Sequence, residues 1–111
     1  MDRKSLGELE LLVALSVAAL GEKADAPRIR ARIIAKTSRK LSRGAVYSVL
    51  ERLHDKRLLD SELVPGDEAR RNMPSRRYLL NGEGHTAIRR SLTNAKEVSG
   101  AYWPDFVGSP S

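Results

Sequence analysis

The side chains able to do chemistry fall into two basic clusters. Arg39, Lys40, Arg43, Gly44, Tyr47, Ser48 and Arg52 lie close together, and Arg70, Arg71, Arg76 and Arg77 form a second group. Guanidinium and ammonium groups neutralise phosphates. A glycine permits close approach, while tyrosine and serine hydroxyls make directional polar contacts. The stretch "LSRGAVYSVLERLHDKRLL", residues 41 to 59, puts the first group on an amphipathic helix. Val46, Val49, Leu50 and Leu53 make its apolar stripe at helical spacing. Opposite them come Gly44, Ser48 and Glu51, flanked by Tyr47 and Arg52. A helix needing only solubility would carry Lys and Glu there and would not begin with glycine.

Other chemistries have little support in the sequence. Cysteine is absent, which excludes disulfides and thiolate metal sites and permits a reducing compartment. His54 and His85 are isolated, with no carboxylate pattern to make a metal set. Glu51, His54 and Asp55 share one helix, where adjacent charges usually face water. There is no nucleophile motif, phosphate-cradling loop or pair of catalytic acids. No enzyme activity, cofactor or metal is expected.

Net charge is +6 with an isoelectric point near 10.1, which favours a polyanionic partner. Many soluble proteins are basic without such a partner, so distribution matters more. Residues 27 to 80 hold 14 Lys and Arg against 6 Asp and Glu, a net of +8; the rest hold 6 against 8, a net of −2. Segregation of this kind has no use in a chain that is merely soluble. The plain alternatives are that Tyr47 packs on its helix flank and that the second arginine cluster is a solvated loop.

The elements that must position these groups follow from periodicity. At 111 residues the chain fits one domain with a single modest core. "MDRKS", then "LLVALSVAAL", then "ADA" imitates an export signal. However, Glu8 and Glu10 precede the apolar run, which is only about half a membrane span. The segment therefore reads as a buried helix and the protein as cytoplasmic. Ser5 would cap this first helix, with Glu8 as its capping-box partner, and Gly21 would stop it after Leu20. Leu11, Leu12 and Leu15 make it apolar nearly all round, so it is either central or packed on a second subunit. Asp25 and Pro27 open a second helix through about Lys36, with Ile29 and Ile33 inward and Arg28, Arg30 and Arg32 around the rest. "TSRK" connects it to a third helix capped by Ser42.

"LLDSELV" and "RRYLL" have strand character, and "PGDEARRNMPS" between them reads as a long hairpin loop. Asn81 or Gly82 opens a last helix to about Ser99, with Ile88, Leu92 and Ala95 on one face, and Gly100 ends it. Residues 1–99 thus make the domain and 100–111 a tail carrying Tyr102, Trp103 and Phe106. These aromatics would cover a groove between helices. The alternative is that Trp103 lines an effector cavity at a dimer interface.

Three helices, a hairpin and a helix make a mainly α fold with a small β-hairpin. The order α-α-α-β-β-α is that of a winged helix-turn-helix. In that layout the third helix enters the major groove of duplex DNA and the hairpin wing follows the backbone. Together "LGELELLVALSVAALG", "LSRGAVYSVLERLHDKRLL" and "SRRYLLNGEGHTAI" resemble the PadR family of winged-helix transcriptional regulators, over roughly residues 5 to 92. The resemblance implies a homodimeric repressor whose first and last helices build the interface, through Leu11, Leu12, Leu15, Ile88 and Leu92. It also implies that Tyr47 and the Arg76 and Arg77 region contact DNA. Two departures stand out: Asp25, Ala26 and Pro27 where the family has an aromatic-rich stretch, and Arg57 where it has a glycine. They leave the DNA contacts untouched but bear on whether a family effector is shared. The expectation is a dimeric regulator of a pseudo-palindromic operator, responsive to a small molecule if Trp103 lines a cavity. The competing reading is a protein-interaction module docking an acidic partner.

Overall fold

The computed structural model describes residues 6–66 and 73–100. It contains helix α1 (Glu8–Leu20), a 3₁₀ turn (Gly21–Lys23), α2 (Ala26–Thr37), α3 (Arg43–Asp55), strands β1 (Leu59–Val64) and β2 (Ser75–Leu80), and α4 (Gly82–Ser99). This is the winged helix-turn-helix order read from the sequence. The two strands pair antiparallel, with Leu59 opposite Leu80 and Val64 opposite Ser75.

The beginning of α1 differs from expectation. Gly7 is the N-cap, so Glu8 is the first helical residue and not the third after a serine cap. Ser5 lies outside the described residues. Glu10 takes the role assigned to Glu8: its Oε1 accepts the Gly7 N–H at 2.9 Å, which satisfies a donor that the helix itself leaves free. The other starts follow the sequence signals. Asp25 accepts the Arg28 N–H at 3.0 Å, Ser42 the Ala45 N–H at 3.1 Å, and Asn81 the Gly84 N–H at 2.9 Å.

α1 is central. It touches α2, α3, α4 and β2, and buries Val13, Ala14 and Val17. Ile29 and Ile33 of α2, the α3 stripe Val46, Val49, Leu50 and Leu53, and Leu58, Leu59, Tyr78, Ala87 and Ile88 complete the core. Leu11, Leu12 and Leu15 are half-buried at its margin. Burying an aliphatic side chain stabilises by about 1.5–3 kcal/mol, so this cluster dominates the fold. Among the described residues, no helix is long and apolar enough to cross a membrane.

Two backbone features lock the hairpin onto the helices. Tyr78 N–H donates to Ala24 O at 2.8 Å, and Asp25 forms a bridge with Arg77, so β2 is paired on both edges at that point. Sequence periodicity gives no sign of this third partner, because a single bridge needs no strand pattern. Gly84 lies against the turn after α3, where an added Cβ would stand 2.3 Å from Leu58 O. Only glycine lets α4 start that close.

Candidate nucleic-acid interface

The four buried residues of α3 fix which of its side chains point outward. At about 100° per residue, the line opposite the buried stripe runs through Gly44, Ser48, Glu51 and Asp55. All four are exposed. A Cβ on Gly44 would meet nothing within 4 Å, so the first turn of this line presents bare backbone. The Ser42 cap leaves the N–H groups of Arg43 and Gly44 at the positive end of the helix dipole, an environment that favours phosphate.

The flanks of α3 are engaged differently. Arg43 and Tyr47 lie on the flank toward α2 and the hairpin. Tyr47, 53% exposed, lines three grooves, one of them shared with Arg30 and Arg43 on the α2 side; the other two face the hairpin. One of about 440 Å³ is lined by Ala26, Pro27, Met73, Pro74, Arg76 and Tyr78 among others. The other, of about 280 Å³, holds Glu51, His54, Ser61 and Arg76. Burial pushes the Tyr78 hydroxyl pKa up, an effect the Arg76 charge opposes, so the phenol stays neutral well above pH 7.

On the opposite flank, α3 is tied to α1. Glu10, which is buried, accepts from Lys56 Nζ at 2.8 Å and lies 3.8 Å from Arg52 Nε. Burial on its own would raise the Glu10 pKa. The Lys56 and Gly7 hydrogen bonds and the charges of Lys56 and Arg52 outweigh it and hold the carboxyl below its usual value. This clasp was missed in the sequence. Its signal was a carboxylate embedded in the apolar face of α1, where an unpaired charge would be costly.

The predicted contact residues therefore separate. Lys40, Arg43, Gly44, Tyr47 and Ser48 are exposed at or before the start of α3 or along its outer side, and Arg76 faces the same side from the hairpin. Arg76 Nη1 donates to Ser61 Oγ at 3.0 Å. Arg77, next in sequence, points to the other face of the hairpin, pairs with Glu62 and reaches Glu22 O. Its period-2 alternation with Arg76 makes this unavoidable. Arg39 pairs with Glu8 at 2.6 Å, and Arg52 leans toward Glu10. Arg70, Arg71 and Trp103 lie outside the described residues. Of the residues expected at a dimer interface, Ile88 belongs to the core of the single chain, while Leu11, Leu12, Leu15 and Leu92 are half-buried around it.

No family model matches the chain, and no curated protein matches it at a significant level. Solved structures do. A PadR-like transcription factor from Bacteroides fragilis superposes with a TM-score of 0.68 at 25% identity, covering 82% of each chain. A PadR family transcription regulator from Clostridium difficile gives 0.60 at 24% identity, covering 84% of this chain and 95% of its own. A Streptococcus transcriptional regulator gives 0.59 at 14% identity, covering 85% and 92%, a likeness of fold alone. In fold, in element order and over most of its length, this protein is PadR-like.

Proposed function

We propose that the protein is a sequence-specific transcriptional regulator that binds duplex DNA as a homodimer. The observation that carries this reading is the outer surface of α3. Bare backbone at Gly44 and a small hydroxyl at Ser48 are exposed on it, with Arg43 and Tyr47 beside them and Arg76 on the adjoining hairpin. Such a surface fits a major groove about 12 Å wide. The fold shared with PadR-like transcription factors supports it.

In this reading α3 reads base edges through Ser48 and Tyr47. Lys40, Arg43 and Arg76 neutralise phosphates, joined by Arg70 and Arg71 of the wing. Arg39, Arg52 and Arg77 have intramolecular carboxylate neighbours and contribute field more than contact. Two copies place their α3 helices about 34 Å apart on a pseudo-palindromic operator. Repression follows by blocking polymerase, and an effector that changes the spacing of the two helices would relieve it.

The deciding experiment is fluorescence anisotropy with a duplex from upstream of the protein's own gene and a scrambled duplex, at rising salt. The reading expects tighter binding to the native duplex that persists at physiological salt. It also expects Arg76→Ala to weaken binding and to flatten the slope of log K against log salt by about 0.9. Equal, salt-labile binding to both duplexes would overturn it and favour an adaptor that docks an acidic protein.

A further inference from the structure

The outermost line of α3 poses a problem for a helix meant to approach a polyanion: after Gly44 and Ser48 it continues with two carboxylates, Glu51 and Asp55. A negative charge aimed at phosphate opposes binding. Among the described residues Glu51 makes no ion pair and no hydrogen bond, although basic side chains lie on both flanks of the helix. Lys56 and Arg52 are turned to Glu10. Arg76, across the groove that Glu51 helps line, gives its Nη1 to Ser61. None of these groups is recorded bonding to Glu51, which stays exposed on the outer line of α3 beside the groove it shares with Arg76.

One feature of duplex DNA accepts a carboxylate there. In the major groove only cytosine presents an amino donor without an adjoining ring-nitrogen acceptor on the same base, and Glu or Asp are its matching acceptors. From Gly44 to Glu51 the helix rises about 10 Å, the height of roughly three base pairs. The line therefore offers close backbone approach at Gly44, a hydroxyl at Ser48 and a carboxylate at Glu51, facing successive base steps.

We propose that Glu51 is a specificity-determining residue that accepts a hydrogen bond from the N4 amino group of a cytosine in each half-site. The proposal rests on the assignment of α3 to DNA reading. Glu51 then selects through exclusion as well as attraction. Against guanine O6 or thymine O4 its carboxylate meets an acceptor and is repelled. Asp55, a turn later at the C-terminal end of α3 and on a shorter side chain, adds only general repulsion.

The test is selection from a randomised duplex pool by the full chain, followed by sequencing, for the wild type and for Glu51→Ala, Glu51→Gln and Asp55→Asn. All three substitutions are at exposed positions, and thermal melting confirms that each variant folds. The wild type is expected to favour cytosine at one position per half-site by about tenfold. Glu51→Ala should lose that preference alone, with binding to unrelated DNA unchanged or tighter. Glu51→Gln should move it toward adenine, whose N6 and N7 suit an amide. Asp55→Asn should keep the cytosine. Unchanged base preferences in both Glu51 variants would overturn the assignment while leaving α3 as the reading helix. The same preference lost in Asp55→Asn would also overturn it, in favour of bulk charge. No sequence selection by the wild type would instead remove the DNA-reading role of α3 itself.

Discussion

Arg57 shows how a single residue can be foreseen in part. Its φ is +62°, a left-handed conformation that closes the turn after α3, with its N–H donating to His54 O at 2.9 Å and its carbonyl accepting from Asn81 Nδ2 at 2.9 Å. The sequence poses this position as a question, because the family it resembles usually has a glycine there. The answer is that the backbone keeps the glycine conformation without the glycine. An L-residue held there costs roughly 1–2 kcal/mol, and the extra chain entropy of glycine offsets about half of that. Arg57→Gly is therefore expected to stabilise the protein by about 0.5–1 kcal/mol, read as a higher urea midpoint at unchanged slope. An equal or lower midpoint would mean the Arg57 side chain contributes more than its backbone loses. The carboxylate of Glu10 was less legible. In the sequence it counts only against export, since nothing local reveals that Lys56, 46 positions away, completes its hydrogen bonds.

Between elements, the Glu10 clasp decides how α3 is held. α1 and α3 already pack through Val13, Val17 and the apolar stripe, but apolar contact alone leaves a helix free to slide or roll slightly. A charged group buried at 9% exposure with fixed donors from both helices removes that freedom. Glu10→Gln is expected to lower stability at neutral pH by about 1–3 kcal/mol, since the hydrogen bonds lost are to an ionised group. The pH dependence carries the sign. A carboxyl with a lowered folded pKa stabilises fully above its unfolded value, near 4.3, and loses that contribution as pH falls through the folded value. Melting temperatures of wild type and Glu10→Gln should therefore differ most above about pH 5 and converge in acid. Parallel curves across pH would show that Glu10 acts by shape and not by charge. Helix positions were legible because caps and apolar stripes are local. The facing of the hairpin arginines was not, because it depends on register: Glu62 opposite Arg77 sends one arginine to each face.

For the whole molecule, α4 is the helix whose burial among the described residues is most one-sided along its length. Its 18 residues run about 27 Å, yet its buried residues, Gly84, Ala87 and Ile88, all lie in the first half. Beyond Leu92 the helix continues through an exposed stretch to Val98, which is 90% exposed. A helix of that kind gains little in water without a packed face, because propensity alone barely sustains two turns. Half-buried Leu11, Leu12, Leu15 and Leu92 supply further apolar surface around the core. The sequence leaves the first helix either central or intersubunit; it is central, and the exposed second half of α4 is the surface on which the proposed second copy would pack. Such a dimer would also set the separation of the two α3 helices, which makes its strength a determinant of operator affinity. Val98→Asp tests this without touching the protomer core. It should leave the melting of isolated protomers unchanged within about 0.5 kcal/mol, as surface substitutions do. It should weaken dimerisation at least about tenfold by sedimentation equilibrium, because an apolar contact is lost and a charge is desolvated in each of two copies. Binding to a full operator should fall with it, while binding to a single half-site stays the same. If Val98→Asp sediments as the wild type does, the exposed half of α4 holds no second copy, and the proposed dimer loses the surface argued for it.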